Sequence, residues 1–287
     1  MALISICLPT YEPKPAHLRE AIDSVLRQTF TDWELIINDD ASKAEIRKIA
    51  EPFLNDQRIR LFKNDGRLGI GGNWNATTRK GSAPFVAYLF QDDLWKPKYL
   101  ERSVKILQDT PELGFTAANH SYRIEATTAA ADTGIYAEVE ALRTAVLHEG
   151  RIHCATFLKH WIERGLRPNL IGEPSFVVLR RAMIQEAGPF LEDMRQGLDA
   201  EYWIRCLLLR DGWWIAEKLG EFRVHAAGAT AKNEDSGTGR TDRLRTFKIL
   251  IAALPAGEMK SLARRIRRSE LLKMAGKFMK RLVHYRG

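Results

Sequence analysis

The first third of this chain alternates short apolar runs with helical patterns, the arrangement that builds a parallel β-sheet. Four apolar runs predict strands at residues 4–8, 33–37, 59–62 and 85–90. Apolar residues at helical spacing between them predict the connecting helices, so neighbouring strands should be parallel with helices on both faces. The chain is therefore predicted to be an α/β protein with a Rossmann-like, mostly parallel mixed sheet.

Acidic pairs follow two of these predicted strands. Asp39 and Asp40 follow the second strand, and Asp92 and Asp93 follow the fourth. Parallel strands present their carboxyl ends at one edge of the sheet, where open α/β sheets bind ligands. Adjacent carboxylates repel each other, and a divalent metal held against a phosphate would relieve that repulsion. Helix capping is the alternative role for both pairs, and the two roles are compatible.

The first strand leads into a turn, Pro9–Pro13, that contains no glycine. This turn cannot be the G-x-G-x-x-G pyrophosphate loop of a dinucleotide-binding domain. The glycine-rich segment comes later, at residues 64–75, where glycines would let the backbone approach a ligand closely.

Composition predicts a globular protein of a reducing compartment. The chain has 287 residues, of which 45% are apolar, so a large core is expected. Its three cysteines lie far apart without a C-x-x-C pair, which indicates neither a disulfide framework nor a zinc knuckle. The N-terminus does not resemble a signal peptide, and no apolar run has the length of a membrane span. We expect a cytoplasmic protein.

The positive charge is concentrated at the C-terminal end. Residues 258–287 carry ten Lys or Arg against two acidic residues, a net of +8. The rest of the chain holds the other 34 basic and 34 acidic residues and is neutral. Such a distribution indicates an added basic segment rather than a generally basic protein.

Apolar residues recur at helical spacing within this basic tail, among them Met259, Leu262 and Ile266. A basic amphipathic helix of this kind is typical of proteins that lie on an anionic membrane surface. Packing against the protein is the second possibility. Nucleic-acid binding ranks third, because the neutral remainder offers no nucleic-acid-binding motif. We therefore expect peripheral association of residues 258–287 with the inner face of the membrane.

The middle of the chain is less regular. A helix from Pro97 and a strand from Gly114 to about Tyr122 continue the alternation, whereas residues 124–150 have weak periodicity and predict a surface excursion. Helices are predicted at residues 154–164, 181–187 and 199–210. Strands are predicted at residues 175–179, 213–216 and 221–224.

Five blocks occur in an order that resembles one enzyme family. They are Ile4–Tyr11, Ala21–Phe30, Trp33–Ser42, Gly69–Asn75 and Gln91–Trp95. Together they resemble the nucleotide-sugar half of a family-2 glycosyltransferase, an inverting nucleotide-sugar transferase with the GT-A fold. Weaker similarities follow in Gly172–Ser175, Gly188–Phe190, Gly197–Arg205 and Arg223–His225.

The resemblance implies a donor site at the carboxyl edge of the sheet. Asp40 would bond to the nucleotide base, and Asp92 together with His225 would hold Mn²⁺ or Mg²⁺ against the diphosphate of a UDP-, GDP- or dTDP-sugar. Asp93 is expected to contact ribose or acceptor or to support Asp92. The other implied donor contacts are Pro9, Thr10, Tyr11, Glu12, Arg67, Asn73 and Gln91.

The resemblance also implies a catalytic base near the start of a later helix. Aligned on Trp203 and Arg205, Asp199 falls on the base position and Glu201 lies two residues later. Leu198 stands where the family has an acid. An apolar neighbour should raise the pKa of Asp199 and help it accept a hydroxyl proton, so we favour Asp199 over Glu201 as the base.

Acceptor contacts are assigned to Trp95, Glu173 and Glu201, and the acceptor implied is a glycan or a lipid-linked sugar used in cell-surface polysaccharide assembly. Residues 1–123 would form the nucleotide-sugar half, 124–240 the acceptor half of the same domain, and 241–287 the basic helical segment.

The family's usual first acid of Asp-x-Asp is replaced by Phe90, and a second acid is replaced by Leu198. A non-catalytic nucleotide-sugar-binding or scaffold protein is therefore the alternative function. A nucleotidyltransferase is a third possibility, but its glycine-rich, basic fingerprint after the first strand is absent.

Overall fold

The structure is a computed structural model that describes residues 2–125, 130–225 and 238–284. Its strands are β1 (Ile4–Thr10), β2 (Trp33–Asp39), β3 (Ile59–Lys63), β4 (Phe85–Tyr88), β5 (Leu94–Trp95), β6 (Phe115–Ile124), β7 (Gly150–Ile152), β8 (Val177–Arg180) and β9 (Gly212–Val224). Its helices are α1 (Pro15–Leu26), α2 (Ile46–Ala50), α3 (Gly69–Arg79), α4 (Tyr99–Asp109), α5 (Ala130–Val146), α6 (Cys154–Glu163), α7 (Arg181–Ala187), α8 (Leu198–Leu207), α9 (Thr238–Ala253) and α10 (Glu258–His284).

All nine strands belong to one mixed sheet with the order β3-β2-β1-β4-β8-β6-β9-β5, and β7 also pairs with β9. The pairs β1–β2, β2–β3, β1–β4 and β6–β9 are parallel. β8 runs antiparallel to β4 and β6, and β5 and β7 run antiparallel to β9. The predicted α/β class with a mixed sheet is confirmed, and the sheet joins the two predicted halves.

Side chains of successive strand residues enter two apolar cores, one on each face of the sheet. In β1, Ile4 and Ile6 belong to one core and Cys7 to the other; in β4, Phe85 belongs to the first and Val86 to the second. All five are buried. The central strands therefore read as nearly continuous apolar runs, as expected for strands covered on both faces.

Two predictions for the middle of the chain are wrong in part. Most of the expected surface excursion is helix α5, whose last turns pack inward: Arg143 is 1% exposed, and Leu142 and Val146 pack on the core. Because the buried Arg143 is a charged residue, the hydrophobicity pattern does not identify this face of the helix as buried. The two strands predicted at residues 213–216 and 221–224 are the single strand β9, which stays paired with β6 through local register shifts.

The first half of α10 packs on the domain. It contacts α6 and α9, and its residues Met259, Leu262, Ala263 and Ile266 belong to or pack on the core. These apolar residues are therefore not free to face a membrane, and the packing alternative describes this part of the tail. Leu272, further along, is 66% exposed. Across the described ranges, no helix is long and apolar enough to span a membrane.

Asn75 in α3 should be a strong determinant of stability. Its side-chain amide donates to the carbonyl of Phe190 and accepts from the amide of Phe190, both at 2.9 Å, in a buried place. We predict that Asn75→Ala lowers the free energy of unfolding by about 2 to 4 kcal/mol, because two buried backbone groups lose their partner. Urea titration measures this loss. Asn55→Ala, at an exposed position, is the control, and an equal effect of both variants would contradict the prediction.

Candidate active site

The ends of β1 and β4 are tied together by Gln91. Its side-chain carbonyl accepts from the hydroxyl of Thr10 at 2.6 Å and from the amide of Tyr11 at 2.8 Å. The parallel pairing of β1 with β4 brings these residues to the same edge of the sheet. Pro9, which pairs with Asn38 of β2, is buried beside them. The structure thus brings together Pro9, Thr10, Tyr11 and Gln91, four of the predicted donor contacts.

The loops after β1 and β2 are also bonded to each other. The amide of Glu12 donates to Ser42 Oγ at 2.9 Å, and the amide of Lys43 donates to Glu12 Oε1 at 2.7 Å. Glu12 has φ of 44° and Ala41 has φ of 58°, so both loops hold a non-glycine residue in the left-handed region. Such strain is commonest at functional sites. The guanidinium of Arg67 lies over the Tyr11 ring, 4.1 Å from its centre, which brings one further donor candidate to this edge.

Asp40 holds the start of α3. It is 2% exposed, and its carboxylate accepts from the amides of Leu68 and Gly69 and from Asn64 at 2.7 to 3.0 Å. The capping role considered for the acidic pair is therefore present, although the helix capped is α3 rather than the one that follows Asp40. Bonding to a nucleotide base would require Asp40 to exchange these partners.

Asn73 lies behind this edge rather than on it. Its carbonyl accepts from Asn38 Nδ2 at 2.7 Å, and its amide donates to the carbonyls of Thr10 and Asn38. The side chain is 4% exposed. The predicted contact of Asn73 with phosphate or ribose is not formed by this arrangement, because all its polar groups bind the protein. Its position instead fixes α3 against β1 and β2.

Asp92 and His225 lie side by side, although 133 residues separate them. Asp92 Oδ2 and His225 Nε2 are 2.9 Å apart, and their side chains are 24% and 10% exposed. Arg223 positions this pair, because its Nε donates to the carbonyl of Asp92 at 2.9 Å while its Nη2 binds Glu20. The strand β9, which ends beside β5 and β6, is what carries Arg223 and His225 to the acidic pair.

Asp93 points inward from the same turn. It is fully buried and accepts from Ser175 Oγ at 2.6 Å and from the amide of Arg223 at 3.1 Å. Burial and the neighbouring Asp92 charge raise the pKa of Asp93 well above its ordinary value. The carboxylate of Asp93 is thus bound to Ser175 and to the backbone of β9, an arrangement that agrees with the supporting role among its predicted roles.

The Asp92–His225 pair has the donor atoms that a divalent metal needs. One carboxylate oxygen and one imidazole nitrogen meet at a partly exposed point, and no other described residue hydrogen-bonds the buried Nδ1 of His225. Among the described residues, no cluster of three or more His, Cys, Asp or Glu forms a complete metal site. A metal held here would therefore need ligands from a substrate, as is usual for Mg²⁺ with phosphates.

Asp199 lies in the first turn of α8 and lines a cavity of about 560 Å³. It accepts from the amide of Ala200 and from Asn169 Nδ2, both at 2.8 Å. Burial raises the pKa of Asp199 to about 6, and the charge of Glu173 adds to this effect, although the hydrogen bonds from Ala200 and Asn169 oppose it. The expected direction of the shift agrees with the structure, and Leu198 beside it is 4% exposed.

Glu173 is a charged neighbour of both Asp93 and Asp199. Its charge raises the pKa of both Asp93 and Asp199. Burial would raise the pKa of Glu173 itself, but His120 and Arg143 outweigh that cost and hold it at about 2. His120 Nε2 lies 2.9 Å and Arg143 Nη2 3.9 Å from Glu173 Oε2. Glu173 is therefore a fixed negative charge that faces the site.

Two of the predicted acceptor contacts are not brought to the site. Trp95 is 4% exposed, donates from its indole to the carbonyl of Ser175, and packs on Tyr99. Glu201 is fully buried in an ion pair with Arg205, one turn along α8. Trp95 and Glu201 are therefore structural here. No feature of the sequence indicates the direction in which the side chains of Trp95 and Glu201 point.

Two residues of the site were missed from the sequence. Asn169, the partner of Asp199, lies in an irregular segment with no recognisable pattern. Ser175, the partner of Asp93, lies in the family-like segment Gly172–Ser175, and its place in that segment was the only indication in the sequence.

The family model described as Glycosyl transferase family 2 matches residues 5–166, more than half of the chain. An Escherichia coli relative, UDP-Glc:alpha-D-GlcNAc-diphosphoundecaprenol beta-1,3-glucosyltransferase WfgD, is 35% identical over 37% of this chain and 41% of its own length. The chain thus spans less than half of that relative. Asp199 and His225 lie beyond the range that the family model matches.

Two solved structures have a similar fold. S. aureus TarS 1–349 in complex with UDP-GlcNAc has a TM-score of 0.68 at 14% identity, over 94% of this chain and 72% of that one. The mannosyltransferase PcManGT from Pyrobaculum calidifontis in complex with GDP-Man and Mn²⁺ has a TM-score of 0.59 at 16% identity, over 96% and 75%. With the family match, this shared architecture shows that the chain belongs to glycosyl transferase family 2 and is a glycosyltransferase with the GT-A fold.

Proposed function

We propose that the protein is a metal-dependent, inverting glycosyltransferase. It moves a hexosyl group from a nucleoside-diphosphate sugar to a hydroxyl of a glycan or lipid-linked acceptor in cell-surface polysaccharide assembly. The observation that carries this proposal is the position of Asp199, whose carboxylate lines a cavity. Burial there raises the pKa of Asp199 to about 6, which suits a general base. The lipid-linked acceptor is supported by the acceptor named for WfgD.

The donor is assigned to the carboxyl edge of β1, β2 and β4. The loops 9–12 and 39–42, with Arg67 stacked on Tyr11, offer a polar and aromatic wall for a nucleotide. The ligands named for the two similar structures, UDP-GlcNAc and GDP-Man with Mn²⁺, support a nucleotide-sugar and a divalent metal here. Asp92 and His225 would hold Mn²⁺ or Mg²⁺, which when bound neutralises charge on the diphosphate leaving group.

Transfer then needs one displacement. The acceptor oxygen forms a bond to the anomeric carbon while its proton passes to a carboxylate oxygen of Asp199. The bond between that carbon and the diphosphate oxygen breaks, and its electron pair leaves with the diphosphate. Attack from the face opposite the leaving group inverts the anomeric configuration, so no covalent intermediate with the protein is required.

Asp199 and Asp92 should fail in different ways. We predict that Asp199→Asn lowers transfer about 100-fold or more, because the proton acceptor is lost, while donor affinity stays at the wild-type value. Asp92→Ala should instead weaken donor binding in the presence of Mn²⁺. Calorimetric titration of donor and a transfer assay separate the two effects. Wild-type transfer by Asp199→Asn would exclude it as the base.

The pH dependence of transfer should report the carboxyl group of Asp199. The base works only when deprotonated, so we predict a constant rate above pH 6 and a fall of about tenfold per pH unit below it. An unshifted aspartate would keep activity to about pH 4. The Asn169 hydrogen bond lowers this pKa, so Asn169→Ala should move the fall to higher pH. The rate is measured at saturating donor and metal, and an identical profile for both proteins would contradict the assignment.

A non-catalytic nucleotide-sugar-binding protein is the second candidate function, favoured by Phe90 and Leu198 at positions where the family has acids. Phe90 stacks on Trp74 at 4.6 Å and Leu198 is buried, so both have clear packing roles. An assay of donor hydrolysis and transfer with UDP-, GDP- and dTDP-sugars and Mn²⁺ decides between the two. Binding without turnover across the panel would favour the non-catalytic function.

We also propose that the outer face of α10 lies on an anionic membrane surface at the inner leaflet. Arg264, Arg268 and Leu272 are spaced four residues apart on one exposed face, with Arg265 beside them. The opposite face packs on the domain through Met259, Leu262, Ala263 and Ile266. A basic exposed face with an apolar residue suits an anionic interface.

Removal of this charge should release the protein from membranes. We predict that the triple variant Arg264→Gln, Arg265→Gln and Arg268→Gln binds vesicles with anionic lipid at least tenfold more weakly, with unchanged donor hydrolysis. Co-sedimentation measures the binding. The control removes three exposed charges elsewhere, at Arg27, Arg47 and Lys98. If both triple variants bind equally, α10 is not the membrane-binding face.

A further inference from the structure

The cavity that Asp199 lines carries an unusual concentration of positive charge. Arg167 and the α9 residues Arg240 and Arg243 line its wall, together with the polar side chains of Asn169, Gln196 and Thr246. Its described lining includes none of the donor candidates at the carboxyl edge of β1, β2 and β4. The cavity thus adjoins Asp199 and is lined by residues other than the candidate donor contacts.

The three guanidinium groups are close enough to affect one another. Burial lowers the pKa of Arg243, and the charges of Arg167 and Arg240 lower it further, against the effect of Glu270. Arg243 Nε is buried and no described residue accepts its hydrogen bond. Like charges that line one cavity are stabilised by an anion bound among them.

The acidic residue nearest to this cluster is already shared. Glu270 is 4% exposed and bonds to Arg243 Nη2 at 3.1 Å and to Lys273 Nζ at 3.0 Å, while Arg167 Nη2 lies 3.8 Å away. One carboxylate thus faces three cations, while the charge of Arg240 acts on Arg243. Asp199 is the one acid among the described residues that line the cavity, and burial raises its pKa.

We propose that this cavity is an acceptor subsite for a phosphoryl group, in which Arg167 and Arg240 bind phosphate oxygens in front of Arg243. Guanidinium groups bind phosphate in a two-pronged manner, which fixes orientation as well as position. A phosphate or diphosphate held there would place an attached sugar hydroxyl near Asp199. The inference rests on the proposed transfer function and names the acceptor class: a phosphorylated acceptor, either a lipid-linked sugar diphosphate or a glycan with phosphodiester links.

Direct binding tests the subsite without catalysis. Inorganic pyrophosphate is titrated calorimetrically into the protein with EDTA present, so that the metal-dependent donor site is not engaged. The double variant Arg167→Gln/Arg240→Gln should bind pyrophosphate at least tenfold more weakly than wild type. Arg27→Gln/Arg47→Gln, which removes two exposed charges elsewhere, and Asp92→Ala should bind as wild type does. Equal binding by all four proteins would overturn the proposal.

Kinetics with paired acceptors then identifies the source of the phosphate. The acceptors are an octyl diphosphate sugar, a glycerol-phosphate oligomer that carries the same sugar, and the octyl glycoside without phosphate. The double variant should raise KM at least tenfold for one of the phosphorylated acceptors and leave KM for the octyl glycoside and the rate of donor hydrolysis unchanged. The phosphorylated acceptor that responds identifies the source as lipid-linked or phosphodiester.

The two proposals fail separately in this design. A wild-type protein that neither hydrolyses nor transfers any donor sugar contradicts the proposed function. A wild-type protein that transfers, and whose KM values for all three acceptors are the same in the double variant, contradicts the subsite alone. Arg243 is left unchanged throughout, because its ion pair with the buried Glu270 makes it part of the packing of α9 on α10.

Discussion

The parallel register of β1 with β2 and β4 is the constraint on which the candidate donor site of this enzyme depends. Thr10 pairs with Asp39, and Cys7 pairs with Tyr88, so the three strands end at one edge within a few residues of each other. The loops that follow these strands therefore begin at the same edge of the sheet and lie close together. Gln91 and Ser42 then need only short bonds to join them, and both do so by binding backbone amides.

Buried polar side chains carry the same order from this edge into the rest of the site. Asp40 fixes the start of α3, and Asn73 ties that helix back to β1 and β2. Asp93 fixes Ser175 and the end of β9, which positions His225 beside Asp92. Asp40, Asn73 and Asp93 each have their polar atoms satisfied by protein groups, as burial requires. Some residues that the sequence predicts as ligand contacts therefore hold neighbouring parts of the site in position.

The sequence pattern was sufficient for the first sheet strands, which are short apolar runs, and for α4, whose apolar residues recur at helical spacing. It failed at α5, where the buried face includes Arg143, and at β9, where Glu217 and Lys218 interrupt the apolar run. Within the site, motif order located Asp92, His225 and Asp199, but it gave no side-chain direction. Asp40, Asn73 and Trp95 turn inward because partners from distant segments satisfy them, and such partners are not visible in a local pattern. Glu201 turns inward to Arg205, one turn along α8.

Two carboxyl groups of the candidate site, Glu173 and Asp199, differ because of their partners. Glu173 has His120 and Arg143 beside it and stays ionised, with a pKa of about 2. Asp199 has no cationic partner of comparable closeness among the described residues that shift its pKa, so burial dominates and the fixed charge of Glu173 adds to it. A carboxylate destabilised in this way gains more from accepting a proton than an exposed one does. Arg143, although itself buried, therefore influences the predicted base through Glu173, because it keeps that neighbouring charge in place.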